Sequence, residues 1–225
     1  MNTRLDHLIV AASTLDEGVA WCEAVLGITP GPGGRHPLMG THNRLFKIAT
    51  PTFPDAYFEI IALDPQAAAP QRVRWFGLDE PGLRERIEQG PRLIHAVARS
   101  TQLDMHRWGL IQVGLQPGDP VRAGRDTPQG PLAWQMLLRD DGRLLCDGAL
   151  PTLIQWDGRH PAQAMPDSGV TLSALMLRGV PARARDVLRL QGAVVDVQPS
   201  SPAAPGLKAV LQTPRGAVTL HSDAP

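Results

Sequence analysis

One unit occurs twice in this chain, with an imidazole at the same register in both copies. Leu5-Asp6-His7-Leu8-Ile9-Val10 runs into Ser13-Thr14-Leu15-Asp16 and a helical stretch, and Leu93-Ile94-His95-Ala96-Val97-Ala98 runs into Ser100-Thr101-Gln102-Leu103-Asp104 and another. His7 and His95 each stand eight residues before the Leu that opens the helix. Internal repetition constrains a fold more tightly than local propensity, because each copy must bury the same faces. Two strands that present imidazole at one register suggest a metal site between the copies.

Each copy reads as strand, helix, three strands. In the first, His7 to Ala11 is a strand and Leu15 to Leu26 a helix, with Thr14 as cap, Glu17 placed for a capping box and Gly27 as stop. Its apolar residues Leu15, Val19, Cys22 and Leu26 fall at helical spacing. A short strand near Ile28 and the runs His42 to Ala49 and Tyr57 to Leu63 complete the unit. The second has Leu93 to Arg99, a helix over Leu103 to Leu110, and strands at Ile111 to Leu115, Leu132 to Arg139 and Leu150 to Trp156. A third, shorter copy follows: Val170 to Arg178, a helix from Pro181 to Leu190, then Ala193 to Val197, Leu207 to Thr213 and Ala217 to His221. The expectation is an α+β chain of three βαβββ units at 1–63, 92–156 and 170–223, the last degenerate. Residues 64–91 form a connector with a short helix over Pro81 to Gln89, and 157–169 a linker.

A metal needs ligands converging from several strands, and inward residues alternate along each strand. Glu59 lies inside the apolar run Tyr57-Phe58-Glu59-Ile60-Ile61, where a carboxylate is costly to bury unless paired or metal-bound. Gln155 occupies the comparable place in Leu153-Ile154-Gln155-Trp156. Repeat logic thus aligns His7 and Glu59 with His95 and Gln155 as candidate ligands for Zn, Ni, Fe or Mn. A lone strand-opening His more often caps or hydrogen-bonds in the core than ligates, and cross-strand hydrogen bonding explains a buried Gln equally well. Ser173 falls where the third copy's imidazole would stand, so that unit is expected to serve packing or assembly. A second cluster, Gly33-Gly34-Arg35-His36-Pro37 followed by Gly40-Thr41-His42-Asn43, reads either as a cleft wall carrying His36 and Asn43 or as a solvated turn.

Composition excludes more than it selects. Acids and bases balance at 22 each, and Lys47 and Lys208 are the only lysines, so no charge excess favours nucleic acid or an anionic membrane. Cys22 and Cys146 form no CxxC, which suits a reducing compartment, and no apolar run is long enough to span a bilayer. A cytoplasmic location is expected. Nucleophile-elbow, P-loop, HExxH and dinucleotide motifs are all missing from the sequence.

The βαβββ repeat, with Asp6-His7-Leu8 opening the first strand and Phe58-Glu59-Ile60-Ile61 in its last, resembles the vicinal-oxygen-chelate superfamily. That group includes glyoxalase I, extradiol dioxygenases and bleomycin-resistance-type binding proteins. Gly33-Gly34-x-His36, Gly40-Thr41-His42-Asn43 and Leu153-Ile154-Gln155-Trp156 with His160-Pro161 look more closely like the bacterial glyoxalase-like domain family. The resemblance implies paired units curling into a half-barrel cleft around a divalent metal held by His7, Glu59, His95 and Gln155. His36 and Asn43 would orient substrate. Gln155 departs from glyoxalase I, where a Glu acts as ligand and base, since an amide cannot take up a proton. The implied activity is a metal-dependent lyase, isomerase or dioxygenase acting on a small oxygenated substrate. The alternative is a metal-free module that sequesters a small molecule. The third unit's apolar strands need a partner surface, from the rest of the chain or a second subunit, and a homodimer is expected.

Overall fold

In both copies of the unit the first strand is followed by a helix, as the spacing predicts, and the two first strands lie side by side. The computed structural model describes residues 2–196 and 205–222. The first unit comprises β1 (Arg4–Ala11), α1 (Leu15–Val25), β2 (Arg35–His36), β3 (Thr41–Lys47) and β4 (Tyr57–Leu63). The connector holds α2 (Pro81–Glu88). The second unit comprises β5 (Arg92–Arg99), α3 (Leu103–Gln112), β6 (Asp119–Arg125), β7 (Leu132–Leu138) and β8 (Thr152–Asp157). Together they form one eight-stranded sheet of order β2-β3-β4-β1-β5-β8-β7-β6. In each unit the last strand returns parallel to the first, β4 beside β1 and β8 beside β5. The curved sheet is nearly closed.

The antiparallel β1–β5 pairing relates the two units by an approximate two-fold axis. His7 pairs with Val97 and Ile9 with His95, so His7 and His95 occupy equivalent positions. The register slips at Asp6 in β1, between Leu5 and His7, and at Ile94 in β5, so each strand carries a bulge directly before its histidine. A bulge inserts one unpaired residue and lets two neighbours reach the same face.

Helices α1 and α3 cover one face of the sheet, while α2 packs Leu83 and Ile87 against the other, beside Ile9 and Ile61. Thr14 caps α1, its hydroxyl accepting the Glu17 N–H at 3.1 Å. Cys22 and Leu26 from the first unit and Leu103 and Leu110 from the second join a core with Leu8, Val10, Phe58, Ala96 and Leu153. The third unit closes this core from outside. It comprises β9 (Thr171–Arg178), α4 (Ala182–Leu188), β10 (Val194–Asp196), β11 (Gly206–Thr213) and β12 (Gly216–His221), in a separate sheet of order β10-β9-β11-β12. It keeps the βαβββ element order but is wired differently. β10 lies parallel beside β9, and β12 pairs with β11 instead of returning to the first strand. The expected strand end at Val197 and the unit's end at 223 lie outside the described residues. Leu172, Leu175, Leu177, Leu207, Ala209 and Leu211 pack into the same core as Leu5 and Leu93. The apolar surface that motivated the expected homodimer is therefore covered within the chain. Ser173 faces away from this core and donates its hydroxyl to the Val210 carbonyl at 2.9 Å.

Two expected strands fall elsewhere. The one near Ile28 is replaced by β2 at Arg35–His36, and Ile111 and Gln112 complete α3. The strand that follows α3 is β6, which contains Pro120 and Gly124 and lies at the sheet edge. There a missing N–H interrupts no ladder, but neither residue advertises a strand. Among the described residues no helix is long and apolar enough to cross a membrane.

Leu172 is fully buried between the two sheets. Its replacement by Ala should cost about 2–5 kcal/mol, read from the midpoint of urea unfolding. A loss below about 1 kcal/mol would mean that the third unit is not packed as described.

Candidate functional site

The concave face holds a chain of polar side chains in an otherwise apolar cleft. Because Asp6 sits in the bulge, its carboxylate and the adjacent His7 ring meet on one side of β1. His7 Nδ1 lies 2.8 Å from Asp6 Oδ1, and its Nε2 lies 3.3 Å from Glu59 Oε2 on neighbouring β4. Asp6 Oδ2 accepts from Trp156 Nε1 at 2.9 Å and lies 3.0 Å from His160 Nε2. His160 Nδ1 accepts the Ala162 N–H, so its Nε2 carries the proton and donates to Asp6. Glu59 Oε1 accepts from Asn43 Nδ2 at 2.5 Å. The Asn43 carbonyl oxygen in turn accepts from Gly34 N at 2.8 Å and from the Arg125 guanidinium at 3.2 Å.

These contacts set the charges. Burial opposes ionisation of Glu59, but donors from His7 and Asn43 outweigh it and hold the carboxyl at about 2. Burial likewise opposes the charged form of His7, and Asp6 and Glu59 overcome it, raising the ring to about 9. Asp6 is fully buried, yet its imidazole donors keep it far below the usual carboxylate range. The trio is thus an imidazolium between two carboxylates. His36, hydrogen-bonded to Thr41 and edge-on to Trp75, is pushed down by burial to about 4 and is neutral.

The structure brings His7, Glu59, His36 and Asn43 together and separates them from His95 and Gln155. The His95 Nδ1–H donates to the Gly148 carbonyl at 3.0 Å. Its Nε2 accepts the Thr152 N–H at 3.1 Å and lies 2.9 Å from the Thr152 hydroxyl, so no lone pair is left to ligate. Phe76, at φ 58°, covers the ring with centroids 5.8 Å apart. Gln155 points to the opposite face of β8, where its side-chain oxygen accepts the Leu103 N–H at the start of α3. It is a helix-terminus acceptor and not a ligand. The residue that corresponds to Glu59 is Thr152: β1 pairs Ile9 with Glu59, and β5 pairs the equivalent Val97 with Thr152. The second copy therefore carries Ile94, His95 and Thr152 where the first carries Asp6, His7 and Glu59.

This donor set does not fit the expected four-ligand divalent centre. One imidazole and one carboxylate come from the first unit, while the facing wall presents Trp134, Met136, Ile154 and Trp156. Among the described residues no group of three or more His, Cys, Asp and Glu is arranged to hold a metal. The sequence reading quoted Asp6, Trp156 and His160 in its motifs but gave them no site role, did not name Arg125, and took Trp75 and Phe76 for connector. The glycine pair was the available signal. A Cβ on Gly33 would lie 2.0 Å from the Asn43 backbone oxygen and 2.3 Å from its side-chain Oδ1, and one on Gly34 would lie 2.3 Å from the Arg125 guanidinium. Both positions are glycine because two site residues pass directly over them.

Stability should follow the trio's ionisation. The Glu59 contribution is present above the ordinary value of 4.5 and lost as pH falls toward about 2. The His7 contribution is complete below 6.5 and lost as pH rises through about 9. Thermal melts across pH should therefore show a plateau between those ordinary values. His7→Gln should remove the alkaline fall, and an unchanged alkaline limb in that variant would contradict the assignment.

Comparison with known proteins bears on the fold and the family. A protein from Staphylococcus aureus, described as hypothetical, is similar at 18% identity, with 78% of this chain and 69% of that one covered and a TM-score of 0.54. A Streptomyces coelicolor methylmalonyl-CoA epimerase is similar at 16% identity, over 69% of this chain and 97% of that one, with a TM-score of 0.44. A hypothetical protein from Bacillus halodurans is 12% identical, over 71% and 96% of the two chains, with a TM-score of 0.43. No curated protein sequence matches. A family profile described as a glyoxalase-like domain matches residues 5–191, most of the chain including both cleft-forming units. The chain belongs to the glyoxalase-like domain family.

Proposed function

We propose that the protein is an enzyme that moves a proton at a carbon next to a carbonyl in a small oxygenated substrate, with Glu59 as the base. The observation that carries this reading is the placement of Glu59. It is a buried carboxylate on the wall of an aromatic-lined cleft, held ionised by His7 on one oxygen and Asn43 on the other. Proton transfer by a positioned carboxylate is an ordinary way to start isomerase or lyase chemistry. Asp6 fixes the His7 ring, so the imidazole holds Glu59 in place and keeps it unprotonated. The apolar wall of Trp75, Phe76, Trp134 and Trp156 excludes water and grips a flat, small molecule. No step requires a metal from these residues.

A second reading, a binding module without catalysis, is favoured by that same aromatic wall and by the neutral His95–Thr152 pair opposite the charged trio. One experiment separates the two. Small ketones and 2-hydroxyketones are incubated with the protein in D2O and followed by proton NMR. The enzyme reading expects α-deuterium incorporation that falls by about 100-fold or more in Glu59→Gln. Quenching of cleft tryptophan fluorescence by the same compounds, with no exchange above buffer for any of them, would select the binding module instead.

A further inference from the structure

We propose that Arg125 is the electrophile of this site: its guanidinium receives the oxygen of the substrate carbonyl and stabilises the enolate, the part a divalent metal would otherwise play. The proposal rests on reading Glu59 as the base.

The supporting geometry is the Asn43 amide. Its oxygen end is held by Arg125 at 3.2 Å and its nitrogen end by Glu59 at 2.5 Å. The amide O=C–N unit spans about 2.3 Å from oxygen to nitrogen, close to the span of O=C–C in an enolisable carbonyl compound. A substrate laid alongside Asn43 therefore offers its oxygen to Arg125 and its α-C–H to Glu59 within the same two reaches. One cation and one anion bracket the three atoms that the reaction changes.

Three further observations agree. Among the described residues the Arg125 side chain makes one hydrogen bond, to the Asn43 side-chain oxygen, and no ion pair, so its other guanidinium donors are uncommitted. It reaches the site from β6, the far edge of the nearly closed sheet, across the backbone of Gly34, where a Cβ would collide with it. It is also a wall residue of the cleft that holds His7, Asn43 and Glu59. An arginine carried across a sheet closure over a glycine, with no acid to pair with, is placed for an oxygen that arrives from outside.

The step balances. The α-C–H bond breaks, its proton goes to a Glu59 carboxylate oxygen, and the electron pair moves through the new C=C bond onto the carbonyl oxygen. Negative charge leaves Glu59 and appears beside Arg125, so the cleft's total charge is unchanged. The hydrogen bonds that keep Glu59 ionised also make it a weak base, so the reaction depends on how well the developing oxyanion is held. A preorganised cation in a dry cleft supplies that.

The test uses 4-nitrophenol, whose phenolate mimics a flat enolate and reports its own ionisation by visible absorbance. Glu59→Gln imitates the base after it has taken the proton, and should bind the phenolate about tenfold more tightly than wild type. Adding Arg125→Gln to that variant should reverse the gain by about tenfold or more, and Arg125→Lys should restore part of it. Phenolate affinity within about twofold of the Glu59→Gln parent in both Arg125 variants, with unaltered circular dichroism, would overturn the proposal and leave the Glu59 reading standing. Phenolate bound no better by Glu59→Gln than by wild type would instead sink the assignment of Glu59 as base.

Discussion

The site depends on one buried carboxylate. Asp6 is wholly inaccessible and bonded to three donors from separate parts of the chain: His7 on its own strand, Trp156 on β8 and His160 in the following turn. A lone carboxylate in such a place costs several kcal/mol, so the fold must bring those donors together to keep it. In doing so it ties the first unit to the end of the second and orients the His7 ring through Nδ1. With Nδ1 committed to Asp6, Nε2 is the nitrogen that faces Glu59. The bulge at Asp6 makes this possible, since consecutive residues of a regular strand point to opposite faces.

The two copies show what the same scaffold does with and without that acid. Equivalent bulges place Asp6 and Ile94, equivalent strands place His7 and His95, and equivalent parallel pairings place Glu59 and Thr152. Between carboxylates, the His7 ring is raised to about 9 and stays charged. Between a carbonyl and a threonine, the His95 ring is driven down to about 3 by burial, and Phe76 seals it. The repeated imidazole is thus retained in both halves for geometry, and its chemistry is set by the flanking residues. Two substitutions, acid to isoleucine and acid to threonine, separate a charged relay from an inert core histidine.

The sequence showed where the repeat lay, because hydrophobic runs and helix caps are local signals, but the pairing of β1 with β5 appears only in the structure. It also exposed His7 and Glu59, since polar residues inside apolar strands stand out, and His36 and Asn43 through the glycine-rich loop before β3. It failed where the answer depended on register. Gln155 was matched to Glu59 by position along the final strand, whereas the ladder equates Glu59 with Thr152, three residues earlier. A slip by an odd number turns a side chain to the opposite face, and so Gln155 serves α3 while Ile154 and Trp156 line the cleft. β6 was hidden for a different reason: an edge strand with Pro120 and Gly124 lacks the β-branched pattern that marks inner strands. With β6 unseen, nothing in the sequence placed Arg125 beside Asn43.

The near-closure of the sheet gives that contact its meaning. Had the strands stopped in an open half-barrel, the far edge would face solvent, and an arginine there would be one more surface cation. Curling brings β6 toward β2 and β3, and Gly33 and Gly34 remove the side chains that would stand between them. The cleft is then asymmetric in a way its repeated architecture is not. Among the described residues its acids come from the first unit, and a cation that makes no ion pair comes from the second. A fold built from two like halves has become a site with a base on one wall and a charge acceptor on the other. That division of labour is what proton abstraction beside a carbonyl needs, and a symmetric ligand cage would not provide it.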